Sequence, residues 1–195
     1  MSPITHLLSG WVVASLAGTD RRDRALITWA SVIPDLDGFG LPIEVFTRNS
    51  SRPITWWSDY HHLLGHNLGF ALLCAGIAAF LSQRKAITVA LVLLTFHLHL
   101  LEDLMGARGP DGHQWPIPYL LPFSTGWQWV WAGQWALNAW PNIALTIILL
   151  GLTLWFARNK GFSAVELFSS RADRKLVEAL RRRFPVTVKE PRSSD

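Results

Sequence analysis

Four long apolar runs limit what this chain can fold into: Leu7–Gly18, Leu68–Leu81, Ala86–Leu101 and Ile143–Ala157, each of 12 to 16 residues. Short polar breaks close them, and no apolar–polar alternation of period two persists, so they predict helices rather than strands. A further helix starts at Arg24 and runs to Ile33, where Pro34 stops it, because the residue before a proline disfavours helical backbone. The expected fold is all-α: a multi-helix, membrane-associated bundle ending in a basic amphipathic helix.

Half of the 195 residues are hydrophobic and 16% are charged, against about 25% charged in an ordinary soluble domain. That balance excludes intrinsic disorder, and a single cysteine, Cys74, excludes a disulfide scaffold or a cysteine-based zinc ribbon. A spanning helix needs about 20 apolar residues, so the runs lie between a buried core helix and a full span. Trp140 before the last run and Arg158 and Lys160 after it stand where interface anchors belong, which favours a membrane protein. No Lys or Arg precedes Leu7, so the first run is expected to be a retained helix rather than a signal peptide. In an up-and-down bundle the basic breaks Arg21–Arg24, Arg84–Lys85 and Arg158–Lys160 fall at one end. The positive-inside rule makes that end cytoplasmic.

Residues 1–161 carry ten basic and nine acidic side chains, and residues 162–195 carry eight and five. The division reads as a helical, metal-binding bundle (1–161) and a basic tail (162–195). In the tail Leu176, Leu180 and Phe184 recur every four residues beside Val177, opposite Arg174, Lys175 and Arg181–Arg183, as in a basic amphipathic helix. Such a helix suits anionic lipid or a soluble protein partner. With the net positive charge mostly in the tail, direct nucleic-acid binding is not expected. Gly38–Ser58 reads as loop, His61–Leu81 as a third helix and Trp127–Trp140 as a Trp-rich helix. Gly106–Gly126, with four glycines and four prolines, reads as a long loop of the kind that is usually functional.

The end of the bundle opposite the basic turns collects His and Asp from four segments. These are His6, Asp35 and Asp37 in Pro-Asp-Leu-Asp, His61, His62 and His66, and His97, His99 and Asp103. His99 and Asp103 are four apart, so on a helix they share a face and can hold one ion together. Burying Asp103 among Leu100, Leu101 and Leu104 without a cation is costly. His97 points elsewhere and reads as a supporting residue. Helical spacing pairs His62 with His66, whereas His61 lies about 140° round from His66 and converges only at a frayed helix start; the choice between His61 and His62 stays open. Imidazole and carboxylate without thiolate suit zinc, manganese or iron. The candidates outnumber the ligands of one tetrahedral zinc, so two or more ions are expected, with an open position for water and hence hydrolysis.

The N-terminal Thr-His, the Pro-Asp-Leu-Asp, the His-(x)4-His-Asn and the His-Leu-Leu-Glu-Asp before a Gly/Pro loop together resemble the YdjM-like family. Its members are bacterial inner-membrane proteins described as metal-dependent hydrolases, some named for association with the repressor LexA. The resemblance covers about residues 4–125. It implies a multi-pass or tightly associated inner-membrane protein and marks His6, Asp35, Asp37, His61, His66, His99 and Asp103 as metal ligands. His61 is preferred to His62 on that basis, although His62 stands where the family has arginine and Asn67 where it has serine. More distantly the pattern is similar to the all-helical zinc phospholipase C and P1 nuclease group, which implies phosphoester substrates.

The expected activity is a metal-dependent hydrolase in which a metal-activated water attacks a phosphoester or other ester. A lipid-derived substrate is expected if the site faces the bilayer, with Asp37 or Asp35 as general base. Arg108 in the Gly/Pro loop is a candidate for steadying an anionic substrate, and Asp111 and His113 share that loop. The alternative is a non-enzymatic membrane scaffold with structural metals that binds a soluble partner through its basic tail. Metal transport fits least, because its ligands belong near the bilayer midplane.

Overall fold

The computed structural model describes residues 1–61, 63–109 and 112–186; the side chains of Asp37, Phe39 and Ser58 lie outside that description. The chain divides into two compact units, Met1–Ile147 and Ile148–Asp195. In the first, α1 (Pro3–Leu16) and α2 (Arg21–Ala30) form one hairpin. A 3-10 turn (Ile33–Phe39), α3 (Gly40–Thr47) and α4 (Trp56–Tyr60) follow. A second hairpin consists of α5 (Leu68–Leu81) and α6 (Lys85–Gly106). Helix α7 (Trp140–Lys160) leads into the second unit, which adds a 3-10 turn (Ala164–Leu167) and α8 (Ser170–Arg183). Among the described residues no extended strand forms.

The helix boundaries follow local chemistry. Ser2 caps α1 by accepting from Thr5 N–H, Asp20 caps α2 by accepting from Arg22 and Asp23, and Gly161, at φ +85°, turns the chain after α7. The two hairpins pack around Ile27, Ala30, Ala71, Ala78, Val92, Phe96 and Leu100. Gly10 lets α1 and α2 approach closely, since a Cβ there would lie 2.1 Å from Ser31 Oγ. At one end the Asp23 carboxylate accepts from Gln83 N–H (3.0 Å), Arg84 N–H (3.0 Å) and Thr88 Oγ1 (2.8 Å). The basic turns at Arg21–Arg24 and Arg84–Lys85 therefore share that end, and the other ends of α1, α2 and α6 meet at the opposite one.

Helices α6 and α7, of 22 and 21 residues, are long and apolar enough to cross a membrane, whereas α1 and α5 have 14 residues each. At 1.5 Å per residue the shorter pair reaches about 21 Å, short of a roughly 30 Å hydrocarbon core. Leu72, Leu73, Ile77 and Phe80 on α5, and Ile143, Ile147 and Ile148 on α7, are nevertheless exposed.

Three expectations need correction. The third helix begins at Leu68, not His61, because Asn67 caps it by accepting from Phe70 N–H (2.9 Å) while its amide donates to Leu63 O and Leu64 O. Gly65 packs so tightly on Pro34 that a Cβ would lie 2.4 Å from Pro34 O. The four-residue helical pairing of His62 with His66 therefore has no helix to rest on. Second, Gly38–Ser58 is not simply loop, since it contains α3 and the start of α4. Third, no helix forms over Trp127–Trp140. That segment supplies donors to the terminal carbonyls of α6, which a helix leaves unsatisfied: Gln134 Nε2 to Asp103 O and Trp135 N–H to Met105 O, to which Asn142 on α7 adds Nδ2 to Gly106 O. Trp129 also exchanges backbone hydrogen bonds with Ile117.

Candidate metal centre

Four segments deliver their side chains to the end of the bundle away from Asp23. His6 lies on the first turn of α1, Asp35 on the 3-10 turn after α2, His66 just before α5, and His99 and Asp103 one turn apart on α6. His6, His66 and His99 are fully or almost fully buried. One ligand atom each from His6, Asp35, His99 and Asp103 lies within 4.8 Å of the others, a grouping that can hold a metal ion. His66 joins it, with Nε2 3.0 Å from His99 Nε2 and 3.3 Å from Asp103 Oδ2.

Hydrogen bonds behind the imidazoles aim them. His6 Nδ1–H donates to Glu102 Oε2 (2.6 Å), and Ser9 Oγ donates to Glu102 Oε1. His99 Nδ1–H donates to the Ser31 carbonyl (2.9 Å). Burial pushes the His6 imidazole down to about 4, even with the Glu102 hydrogen bond opposing it, so the ring is neutral at pH 7. With Nδ1 carrying the proton, a neutral ring presents a bare lone pair at Nε2. Yet His6 Nε2 lies 3.2 Å from Asp103 Oδ1, and His99 Nε2 lies 3.2 Å from Asp103 Oδ2. Lone pair faces carboxylate at both places, an arrangement that a cation between them satisfies. Asp103 Oδ2 is buried and accepts no hydrogen bond among the described residues. The Met1 amino nitrogen also meets Asp103 Oδ1, and burial lowers that amine to about 6. The donor set therefore fits a divalent ion held by nitrogen and oxygen.

The two carboxylates divide their oxygens. Asp103 turns Oδ1 to His6 and Oδ2 to His66 and His99. Asp35 does the same at longer range, with Oδ2 3.9 Å from His6 and Oδ1 3.8 and 3.7 Å from His66 and His99.

The other candidates with described side chains fall outside this group. His61 ends α4 with its ring stacked on Trp57 (centroids 3.6 Å apart) and 6.2 Å from the His66 ring. His62 and Asp111 lie outside the described residues, and of Asp37 only the backbone, on the 3-10 turn, is described. His97 supports the loop, its Nδ1–H donating to Leu93 O and its Nε2 accepting from Tyr119 OH (2.8 Å). The Arg108 backbone is pinned to Trp135 O and Leu137 N–H, and His113 is exposed. Sequence reasoning missed Glu102. The available signal was a second carboxylate three residues after His99, on the same apolar helix.

Asp35, His61 and Asp103 border a cavity of about 610 Å³ whose other walls are largely apolar. The family model for the YdjM inner membrane protein matches residues 1–171. No curated protein and no solved structure matches the chain.

Proposed function

The chain belongs to the YdjM inner membrane protein family, and from that premise we propose that it is a membrane-bound metal-dependent hydrolase of a phosphoester or other ester. One observation carries the reading: two carboxylates, Asp103 buried and Asp35 partly so, each share their oxygens between His6 on one side and His66 with His99 on the other. Such a division would let this donor set hold two divalent cations, zinc among the ions it suits, with His6 as a ligand on one side and His66 and His99 on the other. Bound there, divalent cations supply Lewis acidity and bring the pKa of a coordinated water toward neutrality.

The chain's own groups do the rest. Glu102 and the Ser31 carbonyl keep the Nδ1 protons of His6 and His99 in place and their Nε2 atoms aimed inward. Asp35, with its side chain 13% exposed where the other ligands are buried, stands between the centre and the cavity. With one of its oxygens left free of a cation it would accept the proton of the attacking water; with both engaged that role falls to Asp37 on the same turn. Hydrolysis then joins the water oxygen to phosphorus or acyl carbon and breaks the bond to the leaving oxygen. That oxygen departs as an alcohol after taking up a proton, and the apolar walls keep bulk water away.

A second reading keeps the metals structural and makes the protein a scaffold. It draws on α8, where Arg171, Arg174, Lys175 and Arg181–Arg183 are all exposed and, among the described residues, none forms an ion pair. The test separates the two. Purified full-length protein is analysed for metal and assayed on chromogenic phosphodiester and carboxylic esters with and without chelator. Two ions per chain and chelator-sensitive turnover are expected. Bound metal with no turnover on any ester class would transfer the case to the scaffold, and protein without metal would remove both.

A further inference from the structure

The cavity beside the His/Asp centre is built for something greasier than a simple ester. Its ionisable groups are Asp35 and Asp103 of the centre, the Met1 amine that meets Asp103, and His61 stacked on Trp57, and among the described residues neither Lys nor Arg lines it. The rest of the lining includes Trp29, Val32, Leu36, Leu41, Trp57 and Trp115. An enzyme that grips a soluble phosphate through protein groups generally spends arginines or backbone amides on it; here the charged head of a ligand has only the centre itself to meet. At about 610 Å³ the cavity is within the range that encloses an organic molecule.

The apolar lining does not stop at the mouth. Trp29, Leu36 and Leu41 are 38%, 50% and 43% exposed, and the surface continues along α3 through Val45 and Phe46, the latter 88% exposed. A continuous exposed apolar patch of this kind is rare on a soluble monomer and marks a membrane or partner surface. In a member of an inner-membrane family the bilayer is the occupant at hand. Helix α3, eight residues long, is too short to cross it, and its exposed side chains Leu41, Ile43, Val45 and Phe46 are apolar, with Glu44 the one charged residue of the helix.

We infer that the substrate of this centre is a membrane amphiphile. Its ester head lies against Asp35 and Asp103, its hydrocarbon chain lies along the Trp29–Leu41 wall, and it arrives from the bilayer interface past α3. The inference rests on the hydrolase reading for the word substrate, but not for the binding site itself.

Full-length protein held in amphipol is titrated with butylphosphonate and octylphosphonate below their aggregation limits. Binding is followed by intrinsic tryptophan fluorescence, with free ligand measured by equilibrium dialysis. Each buried methylene is worth about 0.8 kcal/mol, or roughly 4-fold, so four more of them give a ceiling of about 200-fold. A preference of 10-fold or more for the longer chain is expected, shrinking in Leu41→Asp and, as a milder change, Leu41→Ser. Equal binding of the two chain lengths, or a preference untouched by both Leu41 variants, overturns the inference. Chain-length selectivity without ester turnover keeps the amphiphile site and removes the hydrolase. Chelator-sensitive turnover of a water-soluble ester with flat chain-length dependence does the reverse.

Discussion

Each end of the two-hairpin bundle buries a carboxylate, and the two are treated in opposite ways. Asp23 is fully buried, and its oxygens take three donors, from Gln83 N–H, Arg84 N–H and Thr88 Oγ1. Asp103 is 2% exposed; its Oδ1 meets the Met1 amine, yet its Oδ2 accepts no hydrogen bond among the described residues, and the groups facing that oxygen are imidazole nitrogens. Burial is thus the same and satisfaction is not. A buried carboxylate with donors on both oxygens is a structural latch, whereas one that turns an oxygen toward lone pairs is a cation ligand.

The largest effect expected from this contrast is on metal content. Asp103→Asn removes the charge shared by His6, His66 and His99, so cation affinity should fall by more than roughly 100-fold, beyond what losing an orienting partner costs. Asp23→Asn should leave it unchanged. Elemental analysis of the two purified variants against wild type checks this, and equal metal loss in both would erase the distinction between the ends.

Glu102→Gln comes next. An amide keeps the shape but weakens the acceptor for His6 Nδ1–H and Ser9 Oγ, so cation affinity should drop about 10- to 100-fold, as for other carboxylates behind a ligating histidine. A competition titration with a zinc chelator measures it. An unchanged affinity would mean that the Glu102 contact is packing and that His6 needs no orientation.

How much of this could be read from residues alone follows a physical line. A helix whose start is set locally, such as α8 with its Ser169 cap, stands close to where periodicity and capping place it. The convergence of His6, Asp35, His66, His99 and Asp103 was legible because an up-and-down bundle returns helix ends to the same level. What was not legible depends on distant partners. The 127–140 segment stays irregular because α6 needs donors for its last carbonyls, and residues 63–67 stay unwound because Gly65 must fit under Pro34. Glu102 stayed hidden because its role is fixed by His6, 96 positions away.

Asp23→Ala should cost about 2 kcal/mol of stability, since it strips the acceptor from the first turn of α6 and leaves a buried hydroxyl unpaired. Burial raises the Asp23 pKa, but the hydrogen bonds from Arg84, Gln83 and Thr88, with Arg22 nearby, outweigh it, and the net shift is downward from 3.8. A carboxyl whose folded pKa lies below its unfolded one stabilises fully above the unfolded value and loses that contribution as pH falls through the folded one. The gap in melting temperature between wild type and Asp23→Ala should therefore be constant from pH 7 to about 5 and close below about 4. A gap that widened on acidification would show that the latch works through the protonated acid.

The smallest effect sharpens the contrast within a single helix. His97 and His99 sit two residues apart on α6, but His97 Nε2 accepts a hydrogen bond from Tyr119 OH whereas His99 Nε2 faces Asp103 and His66. By the reasoning applied to the carboxylates, His97 is the satisfied one and belongs to the scaffold. Tyr119→Phe removes one partly buried hydrogen bond, which costs about 1 kcal/mol, while the stacking of residue 119 on Trp129 (centroids 4.2 Å apart) is retained. Thermal unfolding should register that loss and metal analysis should not. A fall in bound metal in Tyr119→Phe would place His97 within the centre's support after all, so that hydrogen-bond satisfaction would no longer separate latch from ligand.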